Sequence, residues 1–143
     1  IVYSFKPCYD DRTTIFLGEI IMASKKILAV DDSISIRKSI SFILGQENYN
    51  VTEAEDGADG LKKAMSDKFG LIITDINMPN MDGIEFIKEL RNTTEYKFTP
   101  IIALTTENQD SKMQEGRAAG ATGWIVKPFS SEKLIAVVKK ILG

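Results

Sequence analysis

Four apolar runs each end on residues whose types could do chemistry. Leu71-Ile72-Ile73-Thr74 leads into Asp75, Ile27-Leu28-Ala29-Val30 into the consecutive acids Asp31 and Asp32, Ile101 to Leu104 into Thr105, and Trp124-Ile125-Val126 into Lys127. A carboxylate is poor core material, because burying it unpaired is costly or forces it to stay protonated. At the lip of a buried strand it faces the edge where open α/β sheets bind ligands. Three carboxylates gathered there repel one another, and a proton or a cation must relieve them. Oxygen donors without His or Cys select a hard ion, and Mg2+, which keeps several of its waters, suits carboxylates plus a backbone carbonyl. Lys127 adds a fixed positive charge and Thr105 a hydroxyl donor. A carboxylate nucleophile, a divalent cation, a lysine and a hydroxyl suit a phosphoryl group, whose transfer depends mostly on positioning and charge neutralisation.

Those residues meet only if the runs that carry them are parallel strands. Each run is too short for a helix and is followed by a helix signal, as buried parallel strands require. The chain reads as strands over 27–30, 50–54, 71–75, 100–105 and 123–127. Between and after them lie helices begun by Ser33, Asp56-Gly57, Asp82-Gly83, the region near 109, and Ser130 or Ser131. Their expected inward residues are Ile36, Ile40, Ile43 and Leu44; Leu61, Ala64 and Met65; Ile84, Phe86, Ile87 and Leu90; Met113, Ala118 and Ala119; and Leu134, Ile135, Val138, Ile141 and Leu142. Five strands alternating with five helices on short loops argue an α/β fold, a doubly wound parallel sheet covered on both faces. The strands' C-terminal ends then share one edge.

The 143 residues, 43% of them apolar, are enough for one real core and predict a single soluble domain. Eighteen basic against twenty acidic residues give a net charge of −2, which points to neither nucleic acid nor an anionic membrane. One cysteine, Cys8, makes no internal disulfide and fits a reducing cytoplasm. The chain has no histidine, which excludes Ser/His/Asp and Cys/His catalysis, His-ligated zinc and phosphohistidine chemistry on this chain. Residues 1–21 match no signal peptide or membrane span, and Met22-Ala23-Ser24-Lys25-Lys26 looks like a natural start. The expected organisation is an N-terminal extension over 1–24, upstream or artificially attached, before one domain over 25–143.

Taken together, Val30-Asp31-Asp32-Ser33 with Arg37, Thr74-Asp75-Ile76-Asn77-Met78-Pro79 with Asp82-Gly83, then Thr105, then Lys127-Pro128-Phe129 resemble the receiver domain of bacterial two-component response regulators. The resemblance implies a flavodoxin-like sheet in strand order 2-1-3-4-5 flanked by five helices. It implies that Asp75 is the phosphoacceptor, taking its phosphoryl group from a phosphohistidine on a sensor histidine kinase. Asp32 is then a direct Mg2+ ligand and Asp31 a water-mediated one, with Asp75 and the Asn77 backbone carbonyl completing the protein's share. Lys127 pairs with the phosphate, and Thr105 moves to hydrogen-bond it. Trp124 fills the position of a switching aromatic, where tyrosine is common. The chain would not be an enzyme on a separate substrate, although it promotes its own Mg2+-dependent phosphorylation and dephosphorylation. Thr105-Thr106-Glu107-Asn108, the segment 120–124 and the end at Gly143 look most like stand-alone chemotaxis regulators of the CheY type. Such a protein is monomeric and cytoplasmic, binds the flagellar motor switch when phosphorylated, and can be served by a phosphatase. A phosphorelay intermediate or phosphate sink in another two-component pathway is the alternative.

Plainer readings compete. Asp31 and Asp32 can cap the first helix, Asp82-Gly83 reads as turn chemistry, Thr105 as a strand end, Lys127 as a solvated charge and Trp124 as core. Met78, Met81 and Met113 read as packing. Gly116 either weakens the fourth helix or permits close packing. A flavodoxin-type FMN carrier would offer a glycine- and hydroxyl-rich phosphate cradle after the first strand, where two acids stand here. A phosphatase with an aspartyl intermediate would place its nucleophile there, with a second Asp two residues on, and Asp31-Asp32-Ser33-Ile34 lacks that spacing.

Overall fold

A computed structural model describes residues 25–106 and 110–143. The expected extension over 1–24 and the start of the fourth helix at Gln109 lie outside the described residues. The strands are β1 (Lys26–Val30), β2 (Asn50–Ala54), β3 (Leu71–Asp75), β4 (Ile101–Thr106) and β5 (Gly123–Lys127). They alternate with α1 (Ile34–Gly45), α2 (Gly57–Ser66), α3 (Gly83–Arg91), α4 (Asp110–Ala119) and α5 (Ser131–Leu142). All four strand pairings are parallel, in the order β2-β1-β3-β4-β5. This is the doubly wound, flavodoxin-like sheet in the order that the resemblance implies, and same-handed crossovers on either side of β1 put α1 and α5 on one face and α2 and α3 on the other.

Alternate strand residues feed two cores. Ile27, Ala29, Leu71, Ile73, Leu104 and Ile125 face Ile40 and Leu44 of α1 and Leu134 and Val138 of α5. Leu28, Val30, Ile72 and Ile101 face Ala64 of α2 and Phe86, Ile87 and Leu90 of α3. A smaller cluster of Ile76, Ile84 and Ala103 packs against Ala119, Ala121 and Trp124. Four helices begin on side-chain caps. Ser33, Asp56, Asp82 and Ser130 accept from the amides of Ile36, Asp59, Glu85 and Lys133, satisfying donors that the first turn leaves unpaired. No described helix is long and apolar enough to cross a membrane.

Several expectations need correction. Met65 is 49% exposed, not inward. The last turn of α2 is instead covered by Tyr96, whose hydroxyl donates to the carbonyls of Ala64 (2.6 Å) and Asp67 (2.7 Å). Ala118 is exposed, so α4 buries only Gly116 fully. β4 begins one residue after Pro100, which has no amide to give the ladder, and runs on to Thr106. Phe69, Tyr49 and Tyr96 join the cores from positions without strand or helix periodicity.

Candidate functional site

Asp31 follows β1 directly and is fully buried. Its amide donates to the Ala54 carbonyl (3.1 Å), extending the β1–β2 ladder by one bond. Its carboxylate accepts from the Ser33 amide (2.8 Å) and from Lys127 Nζ (2.8 Å), while its carbonyl accepts from the Arg37 guanidinium (2.7 Å). Asp31 is thus held on all sides, and the capping of α1 falls to Ser33. Asp32 is exposed beside it.

Asp75 ends β3 and is buried. Its Oδ1 accepts from the Ile76 amide (2.9 Å) and lies 3.4 Å from Lys127 Nζ. The chain closes tightly behind it. The Gly83 amide donates to the Ile76 carbonyl (2.8 Å), and a Cβ at Gly83 would overlap the Asp75 carbonyl oxygen. Burial, then the neighbouring charge of Asp31, pushes the Asp75 carboxyl up to about 6, with Lys127 and the Ile76 amide working against the rise. At neutral pH it remains mostly ionised. Lys127 is 18% exposed on its side chain and followed by a cis bond to Pro128. Burial alone would lower its pKa, but the bond to Asp31 and the charges of Asp75 and Asp31 raise it, so it stays an ammonium.

One oxygen each from Asp31, Asp32 and Asp75 lies within 4.8 Å of the others. Only the ammonium of Lys127 reaches these carboxylates directly, so negative charge is in surplus among them. Hard oxygen donors with that surplus fit a divalent cation such as Mg2+. Asn77, expected to lend its carbonyl, is exposed two residues beyond Asp75 at the head of the loop 76–82.

Thr105 lies on β4 opposite Val126, fully buried, and its Oγ1 has no hydrogen-bond partner among the described residues. Such an orphan hydroxyl is costly unless a further acceptor arrives. Trp124 is half-buried on β5 opposite Ala103, and the Arg117 guanidinium of α4 stands 4.9 Å from its ring centroid. The structure therefore brings Asp31, Asp32, Asp75 and Lys127 together. It places Thr105 and Trp124 on the two neighbouring strands, and Asp82 serves as the α3 cap. Sequence reasoning missed Arg117, whose partner seven residues on is reached only through the turn between α4 and β5. The Lys127 ammonium, expected to pair with an incoming phosphate, sits 2.8 Å from Asp31 and 3.4 Å from Asp75 in the unphosphorylated chain.

Residues 27–139 match the model of the response regulator receiver domain. Among curated relatives, the transcriptional regulatory protein ResD of Bacillus subtilis is 40% identical over 117 residues, 82% of this chain and 48% of that protein. SrrA of Staphylococcus aureus is 38% identical over 119 residues, 83% of this chain and 48% of that protein. The chain thus spans about half the length of the curated relatives it matches. Among solved structures, the chemotaxis response regulator CheY4 of Vibrio cholerae has a TM-score of 0.79 and 51% identity, covering 83% of this chain and 99% of that one. A two-component response regulator from Clostridium difficile has a TM-score of 0.75 and 29% identity, covering 82% and 94%. The receiver model runs from within β1 into α5 and takes in every strand end just described, so the chain belongs to the response regulator receiver domain family.

Proposed function

We propose that Asp75 accepts a phosphoryl group from the phosphohistidine of a sensor histidine kinase, and that the phosphorylated chain signals by binding a partner protein. The observation that carries this reading is the meeting of Asp31, Asp32 and Asp75 with Lys127 at one sheet edge, next to the orphan hydroxyl of Thr105. An Asp75 carboxylate oxygen attacks phosphorus as the P–N bond of the donor breaks. The electron pair stays on the imidazole nitrogen, which takes a proton from solvent. Lys127 turns its ammonium to the phosphoryl oxygens, and Thr105 donates to one of them. Asp31, Asp32, Asp75 and the Asn77 carbonyl would hold Mg2+. When bound, that ion neutralises the attacking carboxylate and the phosphoryl oxygens together. The chain then promotes its own phosphorylation and dephosphorylation and turns over no separate substrate.

Identity of 51% with CheY4 over 99% of that chain supports chemotaxis as the pathway, with a cytoplasmic monomer acting on the flagellar motor switch and a phosphatase ending the signal. ResD and SrrA, both transcriptional regulatory proteins, favour a pathway outside chemotaxis, where the second reading is a phosphorelay intermediate or phosphate sink. With Mg2+ and acetyl phosphate, the chain should gain one acid-labile phosphoryl group, mapped to Asp75 by mass spectrometry. Asp75→Asn should remove it, and undiminished labelling in that variant would sink the assignment. Binding of the phosphorylated chain to purified motor switch protein then separates the two pathways, since the second reading expects none.

A further inference from the structure

The loop 76–82 carries Asn77 away from Asp75 and returns the chain to α3, closed at its neck by the bond between the Gly83 amide and the Ile76 carbonyl. Its far side is tied to a different element. Asn80, in the left-handed region at φ 67°, donates from Nδ2 to Asp56 Oδ2 (3.0 Å). Beside it, the Gly57 amide donates to the Met81 carbonyl (3.3 Å), an approach that only glycine allows, because a Cβ there would meet that oxygen at 2.6 Å. The other oxygen of Asp56 accepts from the Asp59 amide (2.8 Å) as the cap of α2. Asp56 thus serves two elements at once, one oxygen fixing α2 and the other the loop.

We propose that Asp56 and Asn80 form a latch that positions the loop bearing Asn77, and through it the cation site at Asp75. The inference rests on the phosphoacceptor reading above, and its residues touch neither cation nor phosphoryl group. A loop fixed at neck and tip pays little ordering entropy when its carbonyl takes up an ion, whereas a loop that has lost the Asn80 bond and keeps only the longer Gly57–Met81 bond on that side must be ordered further by the ion itself. Partners that orient metal ligands from behind typically change affinity about 10-fold or more when removed.

The test is calorimetric titration of the full chain with Mg2+, with thermal unfolding measured beside it. Asn80→Asp sets two carboxylates against each other and should weaken Mg2+ binding about tenfold. The added negative charge alone would draw the cation closer, so a loss cannot come from charge. The exchanged pair Asp56→Asn with Asn80→Asp should regain the parent affinity. Asparagine at 56 still accepts from the Asp59 amide and donates its own Nδ2 to the carboxylate at 80. Asn80→Gly keeps the positive φ, removes the amide, and should lose affinity with an unfolding midpoint near that of the parent. Parent-like affinity in both single variants, or an exchanged pair as weak as Asn80→Asp, overturns the latch, as does a parent chain that binds no Mg2+. Phosphoryl label found elsewhere than Asp75 would remove the phosphoacceptor reading, while the Asn80 comparison still decides the latch.

Discussion

Three aspartates at one sheet edge differ because each touches something different. Asp31 is buried with its carboxylate held by the Ser33 amide and Lys127, Asp32 faces solvent, and Asp75 is buried with its carboxyl pushed up to about 6. That rise means the ionised form is disfavoured in the folded chain. From 3.8 to about 6 is roughly two units, worth at most about 3 kcal/mol at about 1.4 per unit. An asparagine keeps the bond from the Ile76 amide but loses the attraction of Lys127. Asp75→Asn should therefore stabilise the metal-free chain by about 1 kcal/mol in urea unfolding at pH 7. Mg2+ should stabilise the parent by binding only the folded form, and the variant much less. A variant no more stable than the parent would show that the carboxylates are not crowded. Asp31, Asp75 and Lys127 were legible in the sequence because each terminates an apolar run. Asp56 with Asn80, and Arg117 with Trp124, were not, since each pair depends on which turns meet in space.

Helices are fixed to the sheet by charge as well as by packing, and α1 shows how. Arg37 Nε lies 3.4 Å from Glu53 of β2, and Lys38 and Ser41 each donate to the same carboxylate at 3.0 Å. Burial alone would push Glu53 up, but the bonds from Lys38 and Ser41 and the charges of Lys38 and Arg37 outweigh it and hold its carboxyl below the ordinary range. A carboxylate whose pKa is depressed by folding adds stability above its unfolded value, near 4.5, and loses it as pH falls through the lower folded value. The Glu53 side chain is 22% exposed and Lys38 is 68% exposed, so solvent screening keeps the effect modest. Glu53→Gln should cost about 0.5–1 kcal/mol at pH 7, and the difference should shrink once the pH drops below about 4.5. A cost that stays constant from pH 7 to pH 3 would mean that the network acts through shape alone. Strand and helix positions were readable because buried runs and cap residues leave local marks. Met65 and Ala118 were misplaced because a helix's last turns can be covered or left bare by loops that carry no period, as Tyr96 does at α2.

Across the molecule, the site and the α4 side of the sheet are joined through β4 and β5. Thr105 lies next to Val126, and Trp124, two residues earlier on β5, lies next to Ala103. On the proposed reading, a phosphoryl group on Asp75 would give the Thr105 hydroxyl, which lacks a partner among the described residues, an acceptor, and its movement would make room beside the indole. Trp124 turning inward must leave the Arg117 guanidinium, a stack worth roughly 0.5–1 kcal/mol at a partly exposed position. The helix that carries Arg117 is poorly anchored. Among its described residues only Gly116 is buried, and that glycine is not demanded by packing, because a Cβ would find Ile76 Cδ1 at an ordinary 3.7 Å. An interior glycine weakens a helix by about 0.5–1 kcal/mol relative to alanine. The expected behaviour is a two-state equilibrium of α4 and Trp124 that phosphorylation biases through Thr105. Trp124 is the sole tryptophan, so its fluorescence reports the change, but Mg2+ bound nearby can alter it too. The comparison is therefore Mg2+-loaded protein with and without acetyl phosphate, in the parent and in Thr105→Ala. In the parent, phosphorylation should shift Trp124 emission and change amide exchange across α4, and in Thr105→Ala both responses should largely vanish although Asp75 is still labelled. Equal changes in the two proteins would show that the signal reaches α4 without Thr105.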